Sequence, residues 1–183
     1  TGNHMLKNFN ISNDLLNIID NLLNKTKNKI IFRPHPFDLT KKGNINHVNK
    51  IADKFKGYKN FTIDLSVSYL KSYSKAKLLV TDFSGTAYTF AFSTLNPIIF
   101  YSRNEEKFKK TKYNNLSYFK DRARVGYISK DVAHLTNLIN KSSLVNKKIR
   151  NKIISLRKKR IKYLDKSLKK THDEILNILN TKK

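Results

Sequence analysis

The stretch Leu78–Tyr101, which decides the fold, reads LLVTDFSGTAYTFAFSTLNPIIFY. It opens with a short apolar run, which is typical of a strand buried on both faces of a parallel sheet. A polar turn and a block rich in Ala, Phe and Tyr follow. Asn96-Pro97 ends the helix predicted there, because the residue before a proline avoids the helical region. Pro97–Tyr101 is the next predicted strand, so the stretch predicts one right-handed βαβ unit.

The polar turn of this unit contains Asp82, Ser84, Gly85 and Thr86. Free backbone N–H groups and the positive end of a helix suit such a turn to anions, and ligands of open α/β sheets bind beyond the carboxyl ends of strands. We therefore expect Ser84, Gly85 and Thr86 to hold phosphate groups, with Gly85 allowing close approach. An ordinary helix N-terminus is the alternative. Asp82 either caps the helix, which is the simpler interpretation, or orients the loop and binds a ribose hydroxyl.

Apolar periodicity predicts the same alternation along the rest of the chain. The predicted strands are Lys29–Arg33, Phe61–Asp64, Leu78–Asp82, Pro97–Tyr101 and Val125–Ser129. This alternation predicts an α/β fold with a Rossmann-like, doubly wound parallel sheet over residues 1–143. The helix predicted from Ser12 has no strand before it, so we expect either that a first strand is missing or that the register begins mid-domain. Of the first residues, His4-Met5 are a candidate cloning remnant, and Thr1-Gly2-Asn3 are equally a candidate for the native loop that leaves such a strand. The charged stretch 102–124 is predicted to be a functional or mobile loop.

Residues 144–183 are predicted to form a separate basic helical segment that packs on the sheet domain. Its apolar stripe comprises Ile149, Ile153, Leu156, Leu164 and Leu168. The capping-box spacing of Thr171–Glu174 predicts a break near Lys170 and a final helix to about Asn180. The basic faces are expected to lie near an acidic membrane surface by electrostatic attraction. A solvated basic helix is the alternative.

The chain has 183 residues and a formal net charge of +25, from 38 basic and 13 acidic residues. This charge predicts an anionic partner such as nucleic acid, acidic lipid or an anionic polymer, although a composition rich in Lys, Asn and Ile explains part of it. The sequence contains no known nucleic-acid-binding motif, so a basic nucleic-acid-binding protein is the weaker alternative.

The chain has no cysteine, which excludes disulfides and Cys-ligated zinc. No Asp, Glu and His cluster has metal-ligand spacing, and no apolar run approaches the roughly 20 residues of a membrane span.

Two motifs stand together in the chain: Arg33-Pro34-His35-Pro36 after one strand, and Thr81-Asp82-Phe83-Ser84-Gly85 leading through a helix to PIIFY. The pair resembles the CDP-glycerol glycerophosphotransferase family, whose members build or prime teichoic acids and related capsular polymers. Phe83 and Gly85 replace the Tyr and the second Ser of the family pattern. The resemblance covers about Ile30 to Ile139.

The resemblance implies one half of a GT-B architecture, the C-terminal nucleotide-binding domain, with an N-terminal acceptor domain missing. The chain alone is then expected to bind donor without transferring it. The implied donor is CDP-glycerol or a relative such as CDP-ribitol, and the acceptor is an anionic cell-surface polymer. Magnesium on the donor phosphates is compatible with this. The enzyme is expected to be cytoplasmic and peripheral on the inner face of the cell membrane. A GT-B glycosyltransferase that uses a nucleotide-sugar is the alternative, because fold alone does not separate the two.

Four further side chains are candidates for the site. His35, held between two prolines, is the candidate catalytic residue, either stabilising charge on the leaving group or acting as general base; a histidine that caps a turn is the alternative. Arg33 is a candidate phosphate clamp, or a strand residue that faces solvent. Arg122 and Arg124 precede the last strand and either close over the donor or belong to a solvated loop. Asp64 is a weaker counterpart of Asp82.

Overall fold

A computed structural model describes residues 11–40, 42–141, 144–164 and 166–180. The expectation for Thr1–Met5 lies outside these residues. The strands are β1 (Ile30–Phe32), β2 (Phe61–Ile63), β3 (Leu79–Thr81), β4 (Ile98–Tyr101) and β5 (Gly126–Ser129). The helices are α1 (Leu15–Lys25), α2 (Pro36–Thr40), α3 (Lys42–Phe55), α4 (Leu70–Lys75), α5 (Thr86–Thr94), α6 (Glu105–Lys109), α7 (Ser117–Lys120), α8 (Arg122–Val125), α9 (Val132–Asn140), α10 (Lys147–Arg160) and α11 (Ser167–Asn180). The chain therefore has the predicted α/β class.

The strands form two small parallel sheets rather than one sheet of five. β1 pairs with β2, and β4 lies between β3 and β5. The apolar sequence of β4 explains its central place, because all four of its residues are buried. β4 and β5 approach closely at Gly126, where a Cβ atom would lie 1.8 Å from the carbonyl oxygen of Ile98. Only glycine fits at this point of the ladder.

Helices cover both faces of the three-stranded sheet. On one face, Phe90 of α5 and Ile153 of α10 pack against Ile98 and Phe100. On the other face, α1 and α9 pack against Ile99 and Tyr101. The side chains of β4 alternate between these two clusters, as the period of two along a strand requires.

The helix α1 joins the two sheets into one body. Its Ile18 and Leu22 belong to the core cluster of the three-stranded sheet. Its Ile19 and Leu23, on the neighbouring helical face, pack with α3 and the β1–β2 sheet. The carboxyl ends of both sheets are thereby held on one scaffold.

The prediction of a long loop at 102–124 is wrong. The stretch folds as α6, a 3-10 turn at Lys112–Asn115, α7 and α8. Its aromatic side chains form a cluster of their own, in which Phe108 and Phe119 pack against Phe83. Tertiary packing of aromatic residues, rather than helical periodicity, therefore orders this stretch.

The C-terminal helices also differ from the prediction. The first half of the stripe docks as expected, because Ile149, Ile153 and Leu156 of α10 are buried. The break lies before Ser167 instead of near Lys170, and Thr171 sits within α11. Leu168 is 85% exposed and does not continue the buried stripe. Among the described helices, none has the length and apolar character needed to cross a membrane.

Candidate functional site

The turn between β3 and α5 presents an open helix N-terminus. Gly85 occupies the N-cap position in ordinary helical conformation, and no side chain in the described part of the chain caps α5. A Cβ atom at Gly85 would meet nothing within 4 Å. The first-turn amides of α5 are thus not taken by a capping side chain, and the space beside Gly85 is free for a ligand.

Two tyrosines from other elements fix this turn. The hydroxyl of Tyr118 donates to the carbonyl oxygen of Ser84 at 2.7 Å, and the hydroxyl of Tyr73 bonds to Oγ1 of Thr86. Burial raises the pKa of Tyr118, and the neighbouring Tyr88 and Asp82 raise it further. Tyr118 therefore keeps its proton and remains a donor. Sequence reasoning missed it because it lies in the stretch predicted to be a loop; the density of aromatic residues there was the available signal.

Asp82 is buried beneath the turn and does not cap α5. Asp82 is only 3% exposed, and its Oδ2 accepts a hydrogen bond from the backbone N–H of Ile11 at 3.3 Å. Burial raises the pKa of Asp82, and the backbone bonds that lower it do not offset that effect. The nearby carboxylate of Asp38 raises it further. A poorly compensated carboxyl of this kind is typical of functional sites.

We expect Asp82→Asn to raise the free energy of unfolding at pH 7 by on the order of 1 kcal/mol, because it removes a buried charge with little compensation. The amide oxygen can still accept from Ile11. Because the pKa of Asp82 is raised in the folded state, the protonated carboxyl does not lower the free energy of unfolding below its ordinary pKa. Its destabilising effect appears as pH rises through the folded-state pKa. The difference should therefore shrink as urea denaturation is repeated from pH 7 towards pH 4. The exposed Asp53→Asn serves as control, and an Asp82→Asn variant less stable than wild type at pH 7 would contradict this account.

His35 is exposed at the corner after β1. Its Nδ1 accepts a hydrogen bond from the backbone N–H of Phe37 at 3.1 Å. A ring nitrogen that accepts carries no proton, so the neutral imidazole bears its proton on Nε2. No other described residue bonds to the ring. The helix α2 begins directly after His35, and the carboxylate of its Asp38 acts electrostatically on Asp82.

Arg33 anchors a loop instead of presenting its guanidinium to a ligand. It donates to Oδ2 of Asp64 at 2.7 Å and to the carbonyl oxygens of Ser66 and Val67 at 2.7 and 3.1 Å. Burial would raise the pKa of Asp64, but hydrogen bonds from Ser66, Ser72 and Arg33 outweigh it and hold that pKa well below its usual range. The two predicted residues are thus brought together, as an ion pair that joins the carboxyl ends of β1 and β2.

Arg122 is buried in the core, and its predicted closure over a donor does not match this placement. The guanidinium forms a bidentate pair with Glu105 at 3.1 and 2.7 Å and is 2% exposed. Four aromatic rings surround it at 5.2 to 5.9 Å: Phe83, Phe100, Phe108 and Phe119. The three hydrogen bonds that this guanidinium donates, two to Glu105 and one to the carbonyl oxygen of Phe119, all serve the fold.

Arg124 is separated from the turn by the length of the sheet. It lies two residues before the amino end of β5, whereas the turn follows the carboxyl end of β3, and the two strands run parallel in one sheet. Its Nη1 lies 3.5 Å from Oδ1 of Asp121. Of the predicted donor-site residues, Asp82, Ser84, Gly85 and Thr86 share the turn after β3, His35 follows β1 of the other sheet, and Arg124 lies apart.

A family model described as LIC12162 family transferase matches residues 4–142. The chain belongs to the LIC12162 family of transferases. No curated protein and no solved structure matches it. The matched part of this LIC12162 family transferase contains both sheets and the turn at Ser84–Thr86, and it ends before α10. The predicted transferase class is thus confirmed.

Proposed function

We propose that this LIC12162 family transferase binds a nucleotide-activated donor, CDP-glycerol or a related CDP-polyol, with the pyrophosphate at the Ser84–Thr86 turn. The observation that carries the proposal is the uncapped N-terminus of α5, with open space at Gly85, at the carboxyl end of β3. The amide of Ala87 already donates to the carbonyl oxygen of Ser84, so the remaining first-turn amides and the helix dipole would stabilise negative charge there. In this proposal the chain is the Rossmann-like, nucleotide-binding half of a GT-B enzyme, and the acceptor domain is a separate unit.

In the proposed reaction, a hydroxyl of an anionic polymer attacks the phosphorus of the glycerol phosphate group. A new P–O bond forms, the P–O bond to the nucleoside monophosphate breaks, CMP leaves, and the proton of the attacking hydroxyl is released to water. Negative charge builds on the leaving phosphate, where the amides of α5 offset it. Magnesium on the donor phosphates is compatible with this reaction.

His35 is assigned the role of hydrogen-bond donor to a phosphate oxygen. The bond from the Phe37 amide to Nδ1 leaves the proton of the neutral ring on Nε2, which favours donation from Nε2 over a general-base role at that atom. Arg33 and Arg122 are assigned to the scaffold, because Asp64 and Glu105 occupy their guanidinium groups.

Two alternative functions predict that the chain binds different ligands. A glycosyltransferase of similar fold would bind a UDP-sugar, and a nucleic-acid-binding protein would bind random DNA with a steep salt dependence. The sequence contains no known nucleic-acid-binding motif, so the nucleic-acid-binding protein is the weaker of the two alternatives. We expect calorimetric titration of the chain to show saturable binding of CDP-glycerol, weaker binding of UDP-glucose, and competition of CDP with CDP-glycerol. Tighter binding of UDP-glucose would favour the glycosyltransferase.

A further inference from the structure

The last helix of the chain exposes a continuous apolar face. None of the residues of α11 is buried. Leu168 is 85% exposed, and Ile175, Leu176 and Leu179 are also exposed. The spacing of Leu168, Ile175 and Leu179 places these side chains on one side of the helix. The opposite side carries Lys169, Lys170, Asp173 and Glu174, so α11 is amphipathic.

A basic cluster lies at the start of this helix and in the segment before it. Its members are the exposed Lys158, Lys159, Lys162, Lys166, Lys169 and Lys170. No carboxylate of the described residues forms an ion pair with any of them. All six side chains are exposed, so their positive charges face solvent.

Tyr163 joins the apolar face to the basic cluster. It is 46% exposed, and the ammonium groups of Lys162 and Lys170 lie 5.0 and 5.7 Å from its ring centroid. An aromatic ring with a polar tip, flanked by cations, is typical of the boundary between lipid headgroups and acyl chains.

We propose that α11 lies flat in the headgroup region of an acidic membrane, with its apolar face inserted and the basic cluster (Lys158, Lys159, Lys162, Lys166, Lys169 and Lys170) against anionic headgroups. At 1.5 Å per residue its 14 residues extend over roughly 20 Å, less than the hydrocarbon thickness. A nucleic acid would use the charges but not the apolar face. A second copy of the chain would bring two basic clusters together. Acidic lipid satisfies both features.

Co-sedimentation of the full chain with vesicles tests this docking. We expect binding to phosphatidylcholine vesicles that contain phosphatidylglycerol, and at least tenfold weaker binding to pure phosphatidylcholine. Salt should weaken the binding. At fixed salt, Leu168→Ser/Ile175→Ser should weaken it by about tenfold or more, because two large apolar side chains no longer leave water. The control Leu116→Ser/Val145→Ser removes two other exposed apolar side chains, 54% and 50% exposed, and should bind as wild type.

Two further measurements separate this docking from other causes. The urea midpoint of Leu168→Ser/Ile175→Ser should equal that of wild type, since neither side chain is buried. Donor titration should be unchanged, so that failure of the lipid proposal is distinguishable from failure of the proposed function. Absence of binding to acidic vesicles at low salt, or equal binding by the variant, would overturn the proposal. A dimer in sedimentation that the variant abolishes, without vesicle binding, would assign the face to a second copy.

Discussion

Arg122→Met is expected to lower the free energy of unfolding by about 3–5 kcal/mol. The substitution keeps most of the side-chain volume but leaves the Glu105 carboxylate buried without its partner, since Glu105 is only 4% exposed. Four rings and the carbonyl oxygen of Phe119 surround the guanidinium, so no other described cation replaces it there. Urea denaturation at pH 7 measures the effect.

A matched control separates burial from charge. Arg124→Met removes a guanidinium two residues away, but that group is 38% exposed and pairs with Asp121 at 3.5 Å, so the loss should be at most about 1 kcal/mol. The double variant Glu105→Leu/Arg122→Met should recover most of the stability, because an apolar pair can replace a buried ion pair. Equal losses for Arg122→Met and Arg124→Met would show that the buried pair does not hold this region.

The same ion pair bears on the candidate site. Phe83, one of the rings around Arg122, directly precedes Ser84 of the turn. Tyr118, which holds the carbonyl of Ser84, packs on Phe119 of the same cluster. We therefore expect Arg122→Met to weaken donor binding as well, through the turn and without any contact with the donor.

Several elements could be predicted from the sequence because they are set locally. The apolar runs predicted as strands at Lys29–Arg33 and Pro97–Tyr101 became β1 (Ile30–Phe32) and β4 (Ile98–Tyr101). Asn96-Pro97 ended α5 as predicted, at Thr94. Apolar runs and proline act through their own backbone and side chains, so their effect is visible without tertiary structure.

Other features depend on partners that are distant in the sequence. Asp64 lies 31 residues from Arg33, and Glu105 lies 17 residues from Arg122. The sequence around each arginine therefore does not predict its ion-pair partner. The short helices of 102–124 have no helical periodicity and form because their aromatic side chains share one cluster. The open end of α5 was predicted from the turn, whereas its anchoring by Tyr73 and Tyr118 requires the fold.

His35→Ala is expected to lower turnover of the complete transferase by about 10²–10³-fold with a smaller effect on donor affinity, as is typical when a donor to developing negative charge is removed. His35→Gln should retain more activity, because its amide N–H lies near the position of Nε2. Steady-state kinetics with CDP-glycerol measures both variants. Turnover of His35→Ala within about threefold of wild type would contradict the assignment of His35 as a hydrogen-bond donor to the phosphate.

Calorimetric titration of CDP-glycerol into wild type and Gly85→Val is the most direct test of the proposed donor site. The valine side chain would enter the open space beside the turn, where a Cβ atom meets nothing within 4 Å, so the urea midpoint should change little. Saturable binding to wild type and its loss in Gly85→Val, with folding intact, is the result that the proposed site predicts. Equal affinity of the two proteins for CDP-glycerol would contradict it and would remove the Ser84–Thr86 turn from the site.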